Sequence, residues 1–349
     1  MVQTQPLFRG ALLVVICFLG AACATVEPAT PTVERVWPQA PDTPVISYVR
    51  NFSEPKDMGR KKGFFRRAVE FLVGKEEPPV MLRPVGVSVD KKGRIYVPDT
   101  GLQAVHIYDF SRKKYRQIFW VEKGRSRLLA PVGVVIGKKG LIFVSDSRLN
   151  RIFVYNPKNL KLIRTIGDDQ FERVTGLAYD PERDRLYAVD TKGNAVYAFN
   201  SDGQLLHKFG VRGEKDGEFN LPTHITVDGE GRLYITDSMN FRVQIFSPEG
   251  VFEGKVGKLG KSPGSFSKPK GVAVDSQGHI YVVDGVYDTV QIFDLKGNLL
   301  LFFGQTGEKE GDFWLPGGIA IDGEDRIYVA NTYNQRVEVF KFLGDPAEN

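Results

Sequence analysis

Between Phe266 and Gly304 four short apolar runs follow one another: Gly271–Asp275, His279–Asp284, Thr289–Phe293 and Asn298–Phe303. Each is cut off by Gly, Asp or a Gly-containing turn, which predicts four antiparallel strands with tight connections. The unit recurs from Leu82 onward in six copies. Its openings are Pro84-Val85-Gly86, Pro131-Val132-Gly133, Val174-Thr175-Gly176, Pro222-Thr223-His224, Pro269-Lys270-Gly271 and Pro316-Gly317-Gly318. The second runs end at Asp99, Asp146, Asp190, Asp237, Asp284 and Asn331, spaced 47, 44, 47, 47 and 47 residues apart. A period this regular marks a repeat architecture.

The strands are apolar on both faces, which suits blades stacked face to face. Five copies carry a fourth strand: Tyr115–Val121, Leu160–Ile166, Gln204–Phe209, Val251–Val256 and Asn298–Phe303. The sixth copy, Pro316–Phe342, ends after its third. The isolated run Val45–Val49 is the expected missing piece, paired with Val337–Phe342, because ring closure removes an exposed edge. The expected fold is all-β, a six-bladed propeller over residues 45–349, with blade six closed by the N-terminal strand 45–49.

Over Leu82 to Gly344 this pattern resembles the NHL-repeat propellers. The connectors Gly213–Phe219, Gly260–Phe266 and Gly307–Phe313 are similar to that family's loop between blades. Copy three departs, with Val174 for Pro and a longer turn after Tyr179. Copies one and two lack the Gly-rich connector. The resemblance implies the fold, and propellers carry many functions.

The first residues read differently. Ala11–Ala22 is an apolar run of twelve behind Arg9, the length of a signal-peptide core and too short to span a bilayer. Gly20, Ala21 and Ala22 precede Cys23, which resembles a bacterial lipoprotein processing site, although Leu19 lies one position further out than usual. A plain signal peptide cut near Ala22 is the alternative. The expected organisation is a signal peptide over 1–22 and a lipidated Cys23 opening a Pro-rich tether over 23–44. The only other cysteine, Cys17, falls in the removed segment, so no internal disulfide is expected. Ala24 in place of Asp is similar to outer-membrane sorting. The expected location is therefore a membrane-anchored lipoprotein of the outer membrane, facing the periplasm or the cell surface. Residues 59–74 predict a short amphipathic helix on the propeller rim, and their basic residues also fit contact with anionic lipid. The net charge of +5, with both signs interspersed, calls for no nucleic acid.

Candidate chemistry is sparse. The Asp ending most second strands fits a structural role, accepting backbone N–H groups and pairing in Asp146/Arg151 and Asp237/Arg242. Asn331 and Arg336 share that spacing. Symmetric copies on separate blades cannot all serve one site. Copy four alone places a histidine, His224, where the other copies have glycine. Some NHL-like lyases hold zinc through histidines of several blades. Here His106, His207 and His279 fall on other strand positions, and a catalytic zinc needs about three protein ligands. Related calcium-dependent hydrolases use a central Glu/Asn/Asp group, yet Val85, Val132, Thr175, Thr223, Lys270 and Gly317 include no carboxylate. No catalytic set and no cofactor is expected. The alternative is a channel site at His224 and Lys270 with a divalent metal.

The loops after the second strands carry Leu102, Arg148, Leu149, Lys192, Phe241, Tyr287, Tyr333 and Arg336. A mixed aromatic and basic ring suits a protein or peptide, unless these side chains fold down over the blade ends. The expected function is a non-catalytic propeller, lipid-anchored to a membrane, binding an envelope protein or peptide. The alternative is an exported propeller lyase or hydrolase.

Overall fold

The computed structural model describes residues 35–59, 80–122 and 126–345. Cys23, the expected signal peptide over 1–22 and the expected helix over 59–74, apart from Gly59, lie outside the described residues. Everything described belongs to one compact unit, Glu34–Asn349.

Six antiparallel sheets form the blades. Blade five shows the plan: Pro269–Val274 innermost, then Ile280–Asp284, Thr289–Phe293 and Leu299–Phe303 outermost. Ile280 opposes Phe293 and Asp284 opposes Thr289 in its central pair. The middle strands are buried along almost their whole length, because both faces pack against neighbouring blades. Outer strands alternate, as in Leu299–Phe303, where Leu300 and Phe302 are exposed.

Each of six apolar clusters fills one boundary between blades. Val105, Ile107, Val134 and Val144 join blades one and two. Val97, Tyr108, Val337 and Val339 join blade six to blade one. The ring is thus complete through side-chain packing. Single backbone hydrogen bonds also cross, such as Gly318 N–H to Val85 O at 2.9 Å.

The expected closure of blade six is corrected here. Residues Ile46–Phe52 pair antiparallel with Arg336–Phe342, from Ile46 opposite Phe342 to Phe52 opposite Val337. That pairing closes no sheet. Blade six is an open sheet of five strands, with Ile319–Ile321 at its inner edge and Val36–Trp37 at its outer edge. Among the described residues no sheet is closed by hydrogen bonds, and the strand proposed as the seal is an interior one. The edge strand comes from within the stretch read as a tether. It is held because Trp37 packs on Phe303 and Phe340 at 5.8 and 5.7 Å between ring centroids.

The channel has two ends. At the turn end the innermost strand of each blade turns into the second. Asp275 shows how that end is fixed: it accepts from the Gln277 and His279 backbone N–H groups, at 2.9 Å each, and from the Tyr281 hydroxyl at 3.0 Å. At the loop end lie the strand openings and the loops after the second strands. The carboxylate closing the second strand in blades one to five, and the Asn331 amide oxygen in blade six, staple these together. Asp99 accepts from the N–H groups of Leu82, Arg83, Gly101 and Leu102 at 2.7–3.0 Å. The recurring acids are therefore structural, as their symmetry predicts.

Candidate functional site at the loop end of the channel

Inner strands approach so closely here that a side chain at the opening glycine has no room. A Cβ on Gly133 would lie 2.6 Å from Thr175 O, and one on Gly176 2.6 Å from Thr223 O. Copy four still places His224 at this position. Its Nδ1 lies 3.0 Å from Thr223 Oγ1, which is itself 2.7 Å from Ser238 Oγ. Nε2 has no hydrogen-bond partner among the described residues. Burial, with a further contribution from the Lys270 charge, pushes the imidazole down to about 4, so it is neutral at neutral pH.

Lys270 is the one long side chain among the six second positions of the openings. It fits because of a second departure in the same copy. The residue after the strand-ending acid is Thr100, Ser147, Thr191, Ser238 and Thr332 in five copies, but Gly285 in copy five. A Cβ on Gly285 would stand 2.8 Å from Lys270 Cε and 3.2 Å from Nζ. The half-buried Nζ has no hydrogen bond or ion pair among the described residues. Burial pushes the amine down to about 8, the charges of Lys268 and Arg83 push the same way, and Asp288 and Asp284 partly oppose. His224 and Lys270, separate in sequence, therefore feel each other in the channel. Sequence reasoning missed Arg83, Lys268 and Gly285. The joint departure of Lys270 and Gly285 in one copy was the available signal.

The eight loop residues expected to form a binding ring divide. Arg148 and Lys192 are exposed, with no side-chain hydrogen bond or ion pair among the described residues, and Tyr333 is exposed beside Trp314, 5.8 Å between centroids. Leu102 is half-buried. Leu149 packs onto the cluster between blades one and two, and Phe241 onto that between blades four and five. Tyr287 donates to Gly260 O at 3.1 Å. Arg336 pairs with Glu338 and donates to Glu308 O and Lys309 O at 3.0 and 2.6 Å. Of the expected ion pairs, Arg242 reaches Asp237 at 2.9 Å, whereas Arg151 turns to Asp168.

A divalent cation does not suit these donors. Among the described residues no three His, Cys, Asp or Glu side chains converge. The other histidines are placed elsewhere: His106 lies within blade one beside Asp99 and Tyr115, and His279 pairs with Asp275 at the turn end. The unpaired Lys270 ammonium at the mouth also repels a metal ion.

Residues 73–259 match the family model described as the SMP-30/Gluconolactonase/LRE-like region. Residues 229–301 match a 6-bladed beta-propeller model, and 313–340 an NHL repeat. No curated protein matches the chain. Among solved structures, virginiamycin B lyase from Staphylococcus aureus is 13% identical over 75% of this chain and 95% of its own, with a TM-score of 0.55. A streptogramin B lyase is 12% identical over 74% and 93%, with a TM-score of 0.56. An auxiliary nutrient binding protein from Bacteroides thetaiotaomicron is 14% identical over 75% and 69%, with a TM-score of 0.59. These likenesses show the propeller fold. With more than half its length matched by one model, the chain belongs to the SMP-30/Gluconolactonase/LRE-like family, as a six-bladed propeller related to the NHL-repeat proteins.

Proposed function

We propose that this propeller is an enzyme of the lyase or hydrolase class, acting on a small molecule at the loop end of its channel. The observation that carries the reading is the Lys270 amine, half-buried, unpaired and pushed down to about 8 beside a neutral imidazole. At pH 7 roughly one such amine in ten is free base, enough to serve as a general base. It takes a proton from the substrate or from an attacking water. His224 Nε2, left free by the Nδ1 contact with Thr223, is placed to hold the proton at a second substrate atom. The family description, which names a gluconolactonase, and the lyases among the solved neighbours support this direction. The peptide-binding reading has less support, since Leu149, Phe241, Tyr287 and Arg336 are engaged within the fold.

The test is hydrolysis of glucono-1,5-lactone and ring opening of a streptogramin B by the purified chain, with and without EDTA. Turnover of either that survives EDTA, rises through pH 8 and falls about 100-fold or more in Lys270→Met supports the reading. Turnover abolished by EDTA, or unchanged in Lys270→Met, removes it.

We also propose export and lipid anchoring through Cys23, with the chain on the outer membrane. The residue pattern around Cys23 carries this. Among the described residues no helix is long and apolar enough to cross a membrane. Cys23→Ser should move the protein to the soluble fraction, and retention on membranes would count against the anchor.

A further inference from the structure

Four turns of blades one and two come together at the turn end of the channel. In blade one Ile95 opposes both Val89 and Tyr108, so the turns 90–94 and 109–114 leave the same end of that sheet. In blade two Ile142 opposes both Ile136 and Tyr155, which does the same for 137–141 and 156–161. The turns are in contact. A Cβ on Gly140 would lie 3.6 Å from Pro157, and Arg116 of blade one donates to Pro157 O at 3.3 Å. Lys91, Lys92, Lys138, Lys139 and Lys158 line the same cavity mouth.

To those five lysines the turns add Arg112, Lys113, Lys114 and Lys161, and all nine side chains are exposed. Lys138 pairs with Asp184 at 3.0 Å, and Lys113 donates to Gly59 O at 3.3 Å. The rest have no side-chain hydrogen bond or ion pair among the described residues. The acids of these turns are spent inside them. Asp90 holds Arg94 and the Lys92 N–H, and Asp109 holds Ser111 and the Arg112 N–H. Blade four, across the ring from blade one, is the opposite case. Its turns expose Glu230 and Glu249, and each is paired with an arginine at 3.3 Å. One side of the turn end is thus neutralised within the fold, and the other is a cationic patch without counter-charges.

We propose that this patch docks the propeller on an anionic lipid surface, with the turn end of blades one and two facing the headgroups. The composition of the patch selects that partner. Eight of its nine cations are lysines, and none of its turns exposes a large apolar side chain. Lysine is a point charge on a flexible stem, which meets headgroup phosphates in any arrangement. Protein interfaces instead deplete lysine and enrich aromatics and arginine, and base readout in duplex DNA favours the arginine fork. Near an anionic membrane each lysine is worth roughly fivefold in binding. This inference goes beyond the enzymatic reading and needs neither Lys270 nor a lipid on Cys23.

Co-sedimentation of the full chain with two kinds of vesicle tests the inference: phosphatidylcholine alone, and phosphatidylcholine mixed with phosphatidylglycerol. The ratio of the two affinities is the readout, because an apolar anchor contributes to both alike. At low salt the mixed vesicles should bind about tenfold or more tighter, and the ratio should fall towards one at high salt. Joint Lys91→Gln, Lys92→Gln, Lys139→Gln and Lys158→Gln should bring it close to one at low salt. Joint Lys192→Gln, Lys215→Gln, Lys258→Gln and Lys261→Gln makes the same change in net charge with exposed lysines of the loop end. It should leave the ratio within about twofold of the parent, since charges beyond a Debye length are screened. All eight side chains are exposed, and circular dichroism checks that both variants fold. Equal binding to the two vesicles, a ratio that survives the turn-end substitutions, or one lost equally with the loop-end set overturns the proposal. So does a short DNA duplex that binds tighter than the mixed vesicles and is lost with the turn-end set, which would assign the patch to nucleic acid.

Discussion

The two ends of the channel differ in what their polar groups have left to offer. The turn end holds a cavity of about 890 Å³ bounded by the innermost strands of all six blades, with Lys91, Lys92, Lys139 and Lys158 on one side of its mouth. Its carboxylates are nonetheless committed. Asp90, Asp228, Asp275 and Asp322 each hold their own turn and a tyrosine hydroxyl from the following strand. The loop end has unspent chemistry: the Lys270 amine, His224 Nε2 and the cations flanking them. Volume alone does not mark a site. Half-buried groups without partners do, because the fold carries their cost without structural return.

The sharpest way to break this contrast is Lys270→Met. Turnover should drop about 100-fold or more, while stability at pH 7 should rise. The sign follows from linkage. The folded amine titrates near 8 and the unfolded one near 10.5, so the unfolded chain binds more protons between those values. Stability of the parent therefore climbs from about pH 8 to 10.5 and is reduced below that window. Removing the charge recovers on the order of 1–3 kcal/mol after allowance for partial exposure. Urea unfolding at pH 7 and pH 10 measures it, and a parent and variant with identical pH profiles would show that Lys270 is freely solvated.

The mirror experiment lies at the turn end. Asp275→Ala removes the acceptor of two turn N–H groups, the Tyr281 hydroxyl and His279 Nδ1 at 2.9 Å. It should cost about 2–4 kcal/mol and leave turnover per folded molecule unchanged. The pair also sets two pH limbs in the parent. His279 is raised by its bond to Asp275, so its contribution is present below the ordinary histidine value and fades as pH rises through the folded one. Asp275 is held down by the bonds it accepts from His279, although burial pushes the other way, so its contribution is lost only as pH falls below the usual carboxylate range. Loss of turnover with fold intact would make the turn end part of the site.

How much of this was legible follows from what repeats. Six copies of one apolar pattern specify blades, and the symmetric acids announce their structural work. The unequal parts were harder. Leu149, Tyr287 and Arg336 look like binding residues in a linear reading, yet each finds a partner within the propeller that only the folded ring supplies. Val36–Trp37 hides among prolines, and its role as an edge depends on Phe303 and Phe340 from the far end of the chain. Lys270 with Gly285 is intermediate, since two departures in one copy can be seen by aligning the repeats.

That pairing supplies the smallest and most local test. Gly285→Ser restores the hydroxyl-bearing residue that the other five copies carry. Its Cβ would meet the far end of a flexible lysine rather than backbone, at 2.8 Å from Cε, so the fold should yield by less than about 1 kcal/mol. Lys270 must then leave its berth over the loop and reach further into water, which returns its amine towards the ordinary lysine value. Turnover should fall about tenfold, and the pH at which it rises should move upward from about 8. Lys270→Met combined with Gly285→Ser should be no worse than Lys270→Met alone, because the serine acts only through the displaced amine. If Gly285→Ser instead reduces turnover by the same factor in the Lys270→Met background, the glycine serves something other than lysine placement, and the loop end would have to be read again from its backbone.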